Sequence, residues 1–396
     1  MSTAYYFVEA LDVLMLGGHR GRAGAFDARR TLPPWPSVFA GAFRSALLAG
    51  DARKLAAFSA LQGERFDSEE QRCRRHLDVL GEHLFAALGT PRRPGAFRIT
   101  WLSLASLRER SLQPVVPLPA DLVAQADGRG TRLLARQPAA LPSGVRCSAS
   151  LPMVASLHTP RQAVPLPGHW LDGEGLRAHL QGRTPAALLR TEALYRCVAR
   201  STAAPGERSH ATADGAPGTR DAVGLAPGMG FLVGIEGAPD LPDTGLLRLG
   251  GNGHGTRWQR VTFQRPGVPL PQAWRFRLLL TTPAVFANGW LPYGVTRDAD
   301  GSHRLHGDGF SARLACAALP RHEVVSGWDL VRAAPKAAQR AVPAGAVYWF
   351  DRFEGDAGQL ARWVAAGLWP HLEALGPEAL QRRAEGFNNA LLGSWP

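Results

Sequence analysis

Apolar and polar positions along the chain mark out two successive rounds of strands and helices. "YYFVEALDVLML" (5–16) is dense in Tyr, Phe, Val and Leu, reads as a buried strand and ends at a glycine pair. Pro33, Pro34 and Pro36 bar a helix before Ser37, which has the side chain of an N-cap. Beyond it Val38, Phe39, Ala42, Phe43, Ala46 and Leu47 share one broad helical face, with Ser37, Gly41 and Arg44 opposite. Residues 68–88 predict a second, arginine-rich amphipathic helix and "FRITWLSLASL" (97–107) another strand. "QPVVPLPADLV" and "HTPRQAVPLPGHW" read as extended segments punctuated by proline. The stretch 200–229 lacks periodicity and is rich in Gly, Pro, Ala and Thr, so it reads as a long excursion before the strand "FLVGIEG". "GLLRLGGNGHGTRW" enters a glycine loop.

After "PGVPLPQ" (266–272), which reads as a linker, the pattern restarts. "AWRFRLLLTTPAVF", "FSARLACAALPRHEVV" and "AVPAGAVYWFDRF" read as strands, and "AGQLARWVAAGLWPHLEAL" (357–375) as a helix. "EGFNNALLGSW" closes the chain as a glycine turn and a last strand. The order of elements predicts an α+β protein of two ferredoxin-like (RRM-like) βαββαβ domains with long loop insertions. Their expected bounds are 1–265, with an insertion around 160–229, and 266–396.

Charge sharpens this picture. Forty-five Lys and Arg against 33 Asp and Glu give a formal net charge of +12 over 396 residues. Lys54 and Lys336 are the only lysines, so arginine carries nearly all the positive charge. Arginine's planar fork suits phosphates and base edges, which makes a polyanion such as nucleic acid the first partner to consider. A GC-rich genome would also favour arginine over lysine, although it would not create a cationic excess. Cys73, Cys147, Cys197 and Cys316 form no CxxC pair, which argues against a zinc ribbon and fits a reducing cytoplasm. The first residues lack the basic start of a signal peptide, and no run of 18 apolar residues predicts a membrane span.

Three glycine-backed sites stand out. The first is the loop with Gly18, His19, Arg20, Arg22, Arg29 and Arg30, followed at once by the helix that carries Ser37 and Arg44. A helix N-terminus presents free N–H groups to an anion, and glycines let the backbone come close. The second is "RLGGNGHGTRW", with Arg248, Gly250, Gly251, His254 and Arg257; it has neither the ending of a P-loop nor the spacing of a Rossmann fingerprint. The third is "GFNNALLG", with Gly386 and Asn388, while Lys336 and Arg340 precede a strand nearby. Each alone also fits an ordinary surface turn. No HExxH, GxSxG or carboxylate-rich metal motif occurs, so no cofactor or metal is expected. His19 is the one candidate base for metal-independent RNA cleavage.

Taken together, "YFVEALDVLML", "PPWPSVFAGAFRSALL", "PVVPLPADL", "LLRLGGNG", "LLLTTPAVFANGWLP", "SGWDL", "RAVPAGAVYWF" and "EGFNNALLGSW" resemble the RAMP subunits of CRISPR–Cas effector complexes. Among these the chain is most similar to the third subunit of the type III-B Cmr complex. The resemblance implies a non-catalytic, cytoplasmic ribonucleoprotein subunit without a membrane partner. Its partners would be the 5′ handle of the crRNA, the large palm-domain subunit and a backbone RAMP subunit. The Gly17–Arg22 loop and the Ser37–Arg44 helix face would then grip RNA, with "RLGGNGHG" and "GFNNALLG" as the glycine loops of the two domains. The alternatives are a CRISPR repeat endoribonuclease using His19, or a protein–protein adaptor whose basic charge serves only solubility.

Overall fold

Two antiparallel sheets stack on each other because their strands alternate large apolar side chains between two faces. A computed structural model describes residues 2–16, 32–61, 64–109, 111–126, 130–145, 150–159, 166–201, 219–250, 253–267, 274–329 and 334–395. The strands of the first sheet are, in chain order, β1 (Ala4–Ala10), β2 (Arg98–Arg108), β3 (Ser111–Pro117), β4 (His169–Leu171), β5 (Leu189–Arg190), β6 (Met229–Glu236), β7 (Thr244–Leu249) and β8 (His254–Val261). They lie side by side as β7-β8-β1-β6-β2-β3-β4-β5. The second sheet comprises β9 (Phe276–Leu280), β10 (Val295–Arg297), β11 (His303–Gly307), β12 (Phe310–Ala318), β13 (Val347–Gly355) and β14 (Ala390–Ser394), in the order β10-β11-β12-β13-β9-β14. In each sheet four adjacent strands run fourth, first, third, second by rank in the chain: β8-β1-β6-β2 and β14-β9-β13-β12.

The crossovers differ between the halves. Between β1 and β2 run the helices α1 (Pro36–Ala49), α2 (Ala52–Leu61) and α3 (Glu69–Leu88), whereas β7 alone separates β6 from β8 among the described residues. In the second half the arrangement reverses. The strands β10 and β11 lie between β9 and β12, and helices α5 (Ala357–Ala365) and α6 (Pro377–Glu385) lie between β13 and β14. A further helix, α4 (Gly173–Leu180), sits in the excursion between β3 and β6 with three two-stranded ribbons, among them Tyr195–Ser201 paired with Thr219–Leu225. The expected insertion at 160–229 is thus the later part of a longer excursion that begins after Pro117.

Burial gives the layers. Tyr6, Val8, Phe231 and Val233 face Phe39 and Phe43 of α1. On the opposite face of the same strands, Phe7, Trp101 and Leu232 meet Leu279, Trp349 and Leu391 of the second sheet. Phe276, Leu278, Tyr348 and Phe350 then cover Leu360 and Val364 of α5 on its far side. The result is helix, sheet, sheet, helix. At about 1.5–3 kcal/mol for each fully buried large side chain, the sheet–sheet layer alone makes the halves interdependent.

A buried polar clamp crosses the same seam. Asp121, after β3, accepts a hydrogen bond from Arg277 Nη1 of β9 at 2.8 Å and from His179 Nε2 of α4 at 2.8 Å. Arg277 Nη2 also donates to the His179 carbonyl. Burial keeps His179 below its ordinary range in spite of the neighbouring carboxylate, so the neutral imidazole donates from Nε2. Burial would raise Asp121, but His179 and the Arg277 cation outweigh it and hold the carboxyl below its usual range.

Two helices depart from the sequence reading. Trp35, not Ser37, is the N-cap of α1, and Pro36 is the first helical residue. Proline is well suited there because its missing N–H would have no intrahelical acceptor. The single helix expected over 357–375 stops at Ala365, next to Gly367 at φ +78°, and α6 forms separately behind Pro377.

Candidate nucleic-acid interface

Gly18, His19, Arg20, Arg22, Arg29 and Arg30 lie outside the described residues, as do Gly251 and most of the expected linker at 266–272. Both ends of the arginine–glycine segment are described, and each is tied to a different part of the fold. At the leading end Leu14 exchanges two 2.8 Å backbone hydrogen bonds with Val223, and Leu16 is fully buried. The Met15 carbonyl backs onto Gly250, which has φ +75° and whose added Cβ would lie 2.3 Å from that oxygen. Only glycine meets both demands, the left-handed backbone and the close approach.

Gly250 opens the turn between β7 and β8, where the Gly253 N–H donates to its carbonyl at 3.3 Å. So the second sequence motif is a hairpin turn pressed against the root of the first. Arg248, at the end of β7, is exposed and has no ion pair among the described residues. His254, opposite Leu249, is half-buried with Nε2 lacking a partner there. Arg257 is exposed but bound across the strands to Glu9, Nη2 to Oε2 at 2.6 Å.

At the trailing end Leu32 is buried, and Trp35 packs against a small core of Val325, Ala341, Trp369, Leu375 and Phe387. This core lies under the hairpin Glu323–Val325/Gln339–Ala341 of the second half. Trp35 donates its indole N–H to Glu323, whose carboxyl is pushed up to about 7 by burial, with that hydrogen bond opposing. Arg340 stands exposed on the same hairpin, opposite Val324. The residues that flank the arginine–glycine segment are therefore held by a glycine turn of the first sheet and by a hairpin of the second half. Neither tether was visible in the sequence, since each joins residues far apart in the chain.

Other expected contacts take different places. Arg44 does not project into solvent: its guanidinium sits 5.2 Å from the Phe97 ring centre, and burial lowers its pKa while Glu385 opposes. Ser37, the second residue of α1, is half-buried. Lys336 Nζ binds Glu385 Oε1 at 2.7 Å, and the same carboxylate takes buried Arg382 at 3.1 Å. Gly386 ends α6 at φ +95°, where a Cβ would lie 2.8 Å from the Ile99 Cβ. Asn388 is fully buried; its Oδ1 accepts from Val285 N at 2.7 Å and its Nδ2 donates to Val285 O at 3.3 Å. Gly386 and Asn388, expected from the sequence in a glycine loop for RNA, are thus buried and engaged within the fold. Tyr348, Trp349 and Phe350 are core residues. Among the described residues no group of three His, Cys, Asp or Glu could hold a metal, and no helix is long and apolar enough to cross a membrane.

Comparison with known proteins follows this geometry. The family model described as CRISPR-associated protein (Cas_Cmr3) matches residues 6–395. The chain belongs to that family, as the resemblance in its sequence blocks implied. Solved structures similar to it include a chain of the cryo-EM structure of the type III-B Cmr-beta bound to cognate target RNA, at 10% identity and TM-score 0.45, covering 98% of this chain and 96% of that one. A second, from Cmr-beta bound to cognate target RNA and AMPPnP, has 8% identity and TM-score 0.44, with 98% of both chains covered. No curated protein matches.

Proposed function

We propose that this chain is a non-catalytic, crRNA-binding subunit of a type III-B CRISPR–Cas effector complex. It recognises the 5′ handle of the crRNA and bridges the large palm-domain subunit to the backbone subunits. The observation that carries the reading is the double tethering of the arginine–glycine segment. The residue before it, Met15, lies against Gly250, and Trp35 after it contacts Glu323, so its two flanks are held by different halves. Arg248 and Arg340, exposed beside those tethers and without an ion pair among the described residues, extend the cationic surface. Phosphate contacts from such a surface supply affinity, and unstacked handle bases read on their edges supply specificity.

Family membership supports the assembly, and the strand order supports the architecture. An antiparallel order of fourth, first, third, second is that of a ferredoxin-like unit, and it occurs in both sheets. On this reading 1–265 and 266–396 are two ferredoxin-like domains that each keep helices in only one crossover. The first retains them after its first strand and the second before its last.

The test is the salt dependence of binding to a handle RNA. If about five phosphates are neutralised, log K against log salt has a slope of roughly −3.5 for a single strand. The double variant Arg20→Ala/Arg22→Ala is expected to flatten it to roughly −2. An unchanged slope would remove the loop from the interface.

A further inference from the structure

Strand β7 forms one edge of the first sheet, and the hydrogen bonds of its neighbour β8 fix which of its groups face outward. In an antiparallel ladder successive residues turn their N–H and C=O to alternate sides. On β8 the Gly255 carbonyl bonds toward β1, accepting from Leu11 N at 3.1 Å. Arg260 bonds the other way, donating its N–H to the Asp243 carbonyl at 2.6 Å. By that alternation Asp243, Gly245, Leu247 and Leu249 are the residues whose backbone bonds to β8. Thr244, Leu246 and Arg248 therefore point their N–H and C=O away from the sheet, and none of these groups has a partner among the described residues.

A bare edge invites stray pairing, so folded proteins shorten it, cover it, or interrupt it with proline, lysine or a bulge. The other three edges of the two large sheets follow that rule. β5 is two residues long and β10 three. β14 has α4 close against it, the Leu180 carbonyl lying 3.3 Å from where a Cβ on Gly393 would stand. β7 is different. It runs for six residues without proline, lysine or an acidic side chain, and its register with β8 is unbroken. Leu246, in its middle, is 72% exposed. Leu11, also exposed, shares that face, with Cδ1 3.4 Å from where a Gly255 Cβ would stand. Arg257 lies beside Leu246 and is paired with Glu9, whereas Arg248, two residues along the edge, has no ion pair among the described residues.

Outward N–H and C=O groups at strand spacing are matched by another extended backbone, and the side chains between them select its sequence. Opposite Leu246 an apolar residue is favoured, and opposite Arg248 a carboxylate. The chain's formal net charge of +12 opposes a second copy and favours an acidic partner. We infer that the β7 edge takes up, antiparallel, an acidic strand of another protein. That this protein is a further subunit of the effector complex rests on the function proposed above.

The experiment has two arms. In the first, the full chain is titrated into a fluorescein-labelled, end-blocked peptide, Thr-Glu-Thr-Val-Thr-Thr-Thr, which sets Glu against Arg248 and Val against Leu246. Wild type is expected to bind it, and to bind the peptide with Lys in place of Glu up to about fivefold more weakly. Leu246→Pro removes an outward N–H that β8 does not use, a change an edge strand tolerates, and should weaken binding about tenfold. Leu246→Glu keeps that N–H and should reverse the preference toward the Lys peptide. No binding by wild type, or equal binding by both variants, overturns the site. A wild-type dimer in sedimentation that Leu246→Pro breaks would make the occupant a second copy and overturn the acidic partner. In the second arm, amide hydrogen exchange of Thr244–Leu249 is compared in the chain alone, with handle RNA, and in the effector complex. Slowing in the complex but not with RNA alone assigns the edge to a protein strand. The same slowing by RNA alone, or none in the complex, overturns that assignment. Failure of wild type to enter the complex would strike the proposed function and leave the first arm standing.

Discussion

Replacing Asn388 with alanine separates a residue that builds the fold from one that reads RNA. Its side chain satisfies both the N–H and the carbonyl of Val285 in a fully buried position. Alanine would strand both groups, at about 1–3 kcal/mol each. Its backbone φ of +63° adds about 1 kcal/mol, because alanine lacks the short polar side chain that eases Asn into this region. The expected loss is about 3–7 kcal/mol, a large part of the ~5–15 kcal/mol that holds a typical domain. Urea unfolding of the isolated chain measures it as a lower midpoint with an unchanged slope. Asn388→Gly in parallel should recover only the backbone part, about 1 kcal/mol. At a temperature where the variants remain folded, handle RNA affinity is expected within about twofold of wild type, since a fully buried side chain offers RNA no contact. A variant that loses less than 1 kcal/mol yet binds RNA many-fold more weakly would refute the reasoning.

Two further predictions concern buried charge. Glu323 is raised to about 7 from an ordinary 4.5. Above pH 7 the folded protein therefore holds a carboxylate that the unfolded chain hydrates better. Glu323→Gln should stabilise the protein at pH 8 by about 1–3 kcal/mol, with the gain fading as pH falls toward 4.5, measured by denaturation across pH; no gain at pH 8 would contradict the burial. Asp121 and His179 both shift downward on folding, so the unfolded chain takes up protons first as pH falls. The clamp is intact above the ordinary His value of 6.5 and weakens below it, and again through the Asp value of 3.8; this loss is best followed in the Glu323→Gln background. Arg277→Met leaves Asp121 buried without its cation and should cost about 3–5 kcal/mol at pH 7, most of it recovered by adding Asp121→Asn.

Local patterns carried the reading of single elements. Phe39, Ala42, Phe43 and Leu47 repeat at helical spacing and form the buried face of α1, and 68–88 is α3 with Ser68 as its cap, although it is broken at Gly81, whose φ of +75° leaves the helix. The family blocks were legible because they are spread over nearly the whole chain. Helix α6 was not, because its buried residues include Arg382 and Glu385, charges that an apolar periodicity reads as solvent-facing. The same reason misplaced Arg44, whose position on α1 suggested exposure until Phe97 and Glu385 covered it. Asn388 in "GFNNALLG" looked like a loop residue because its partner, Val285, lies 103 positions away. Trp35 and Glu323 escaped notice for the same reason: nothing local announces a hydrogen bond across halves.

The most direct measurement of the central claim is fluorescence-anisotropy binding of the purified chain to a short RNA bearing the repeat-derived 5′ handle. A scrambled RNA of equal length is titrated beside it across a salt series. Phosphate contacts decay with salt whereas base readout does not, so a preference for the handle that persists as salt rises is the predicted result. Equal and steeply salt-dependent binding of the two RNAs would contradict handle recognition by this chain and reduce it to a basic surface.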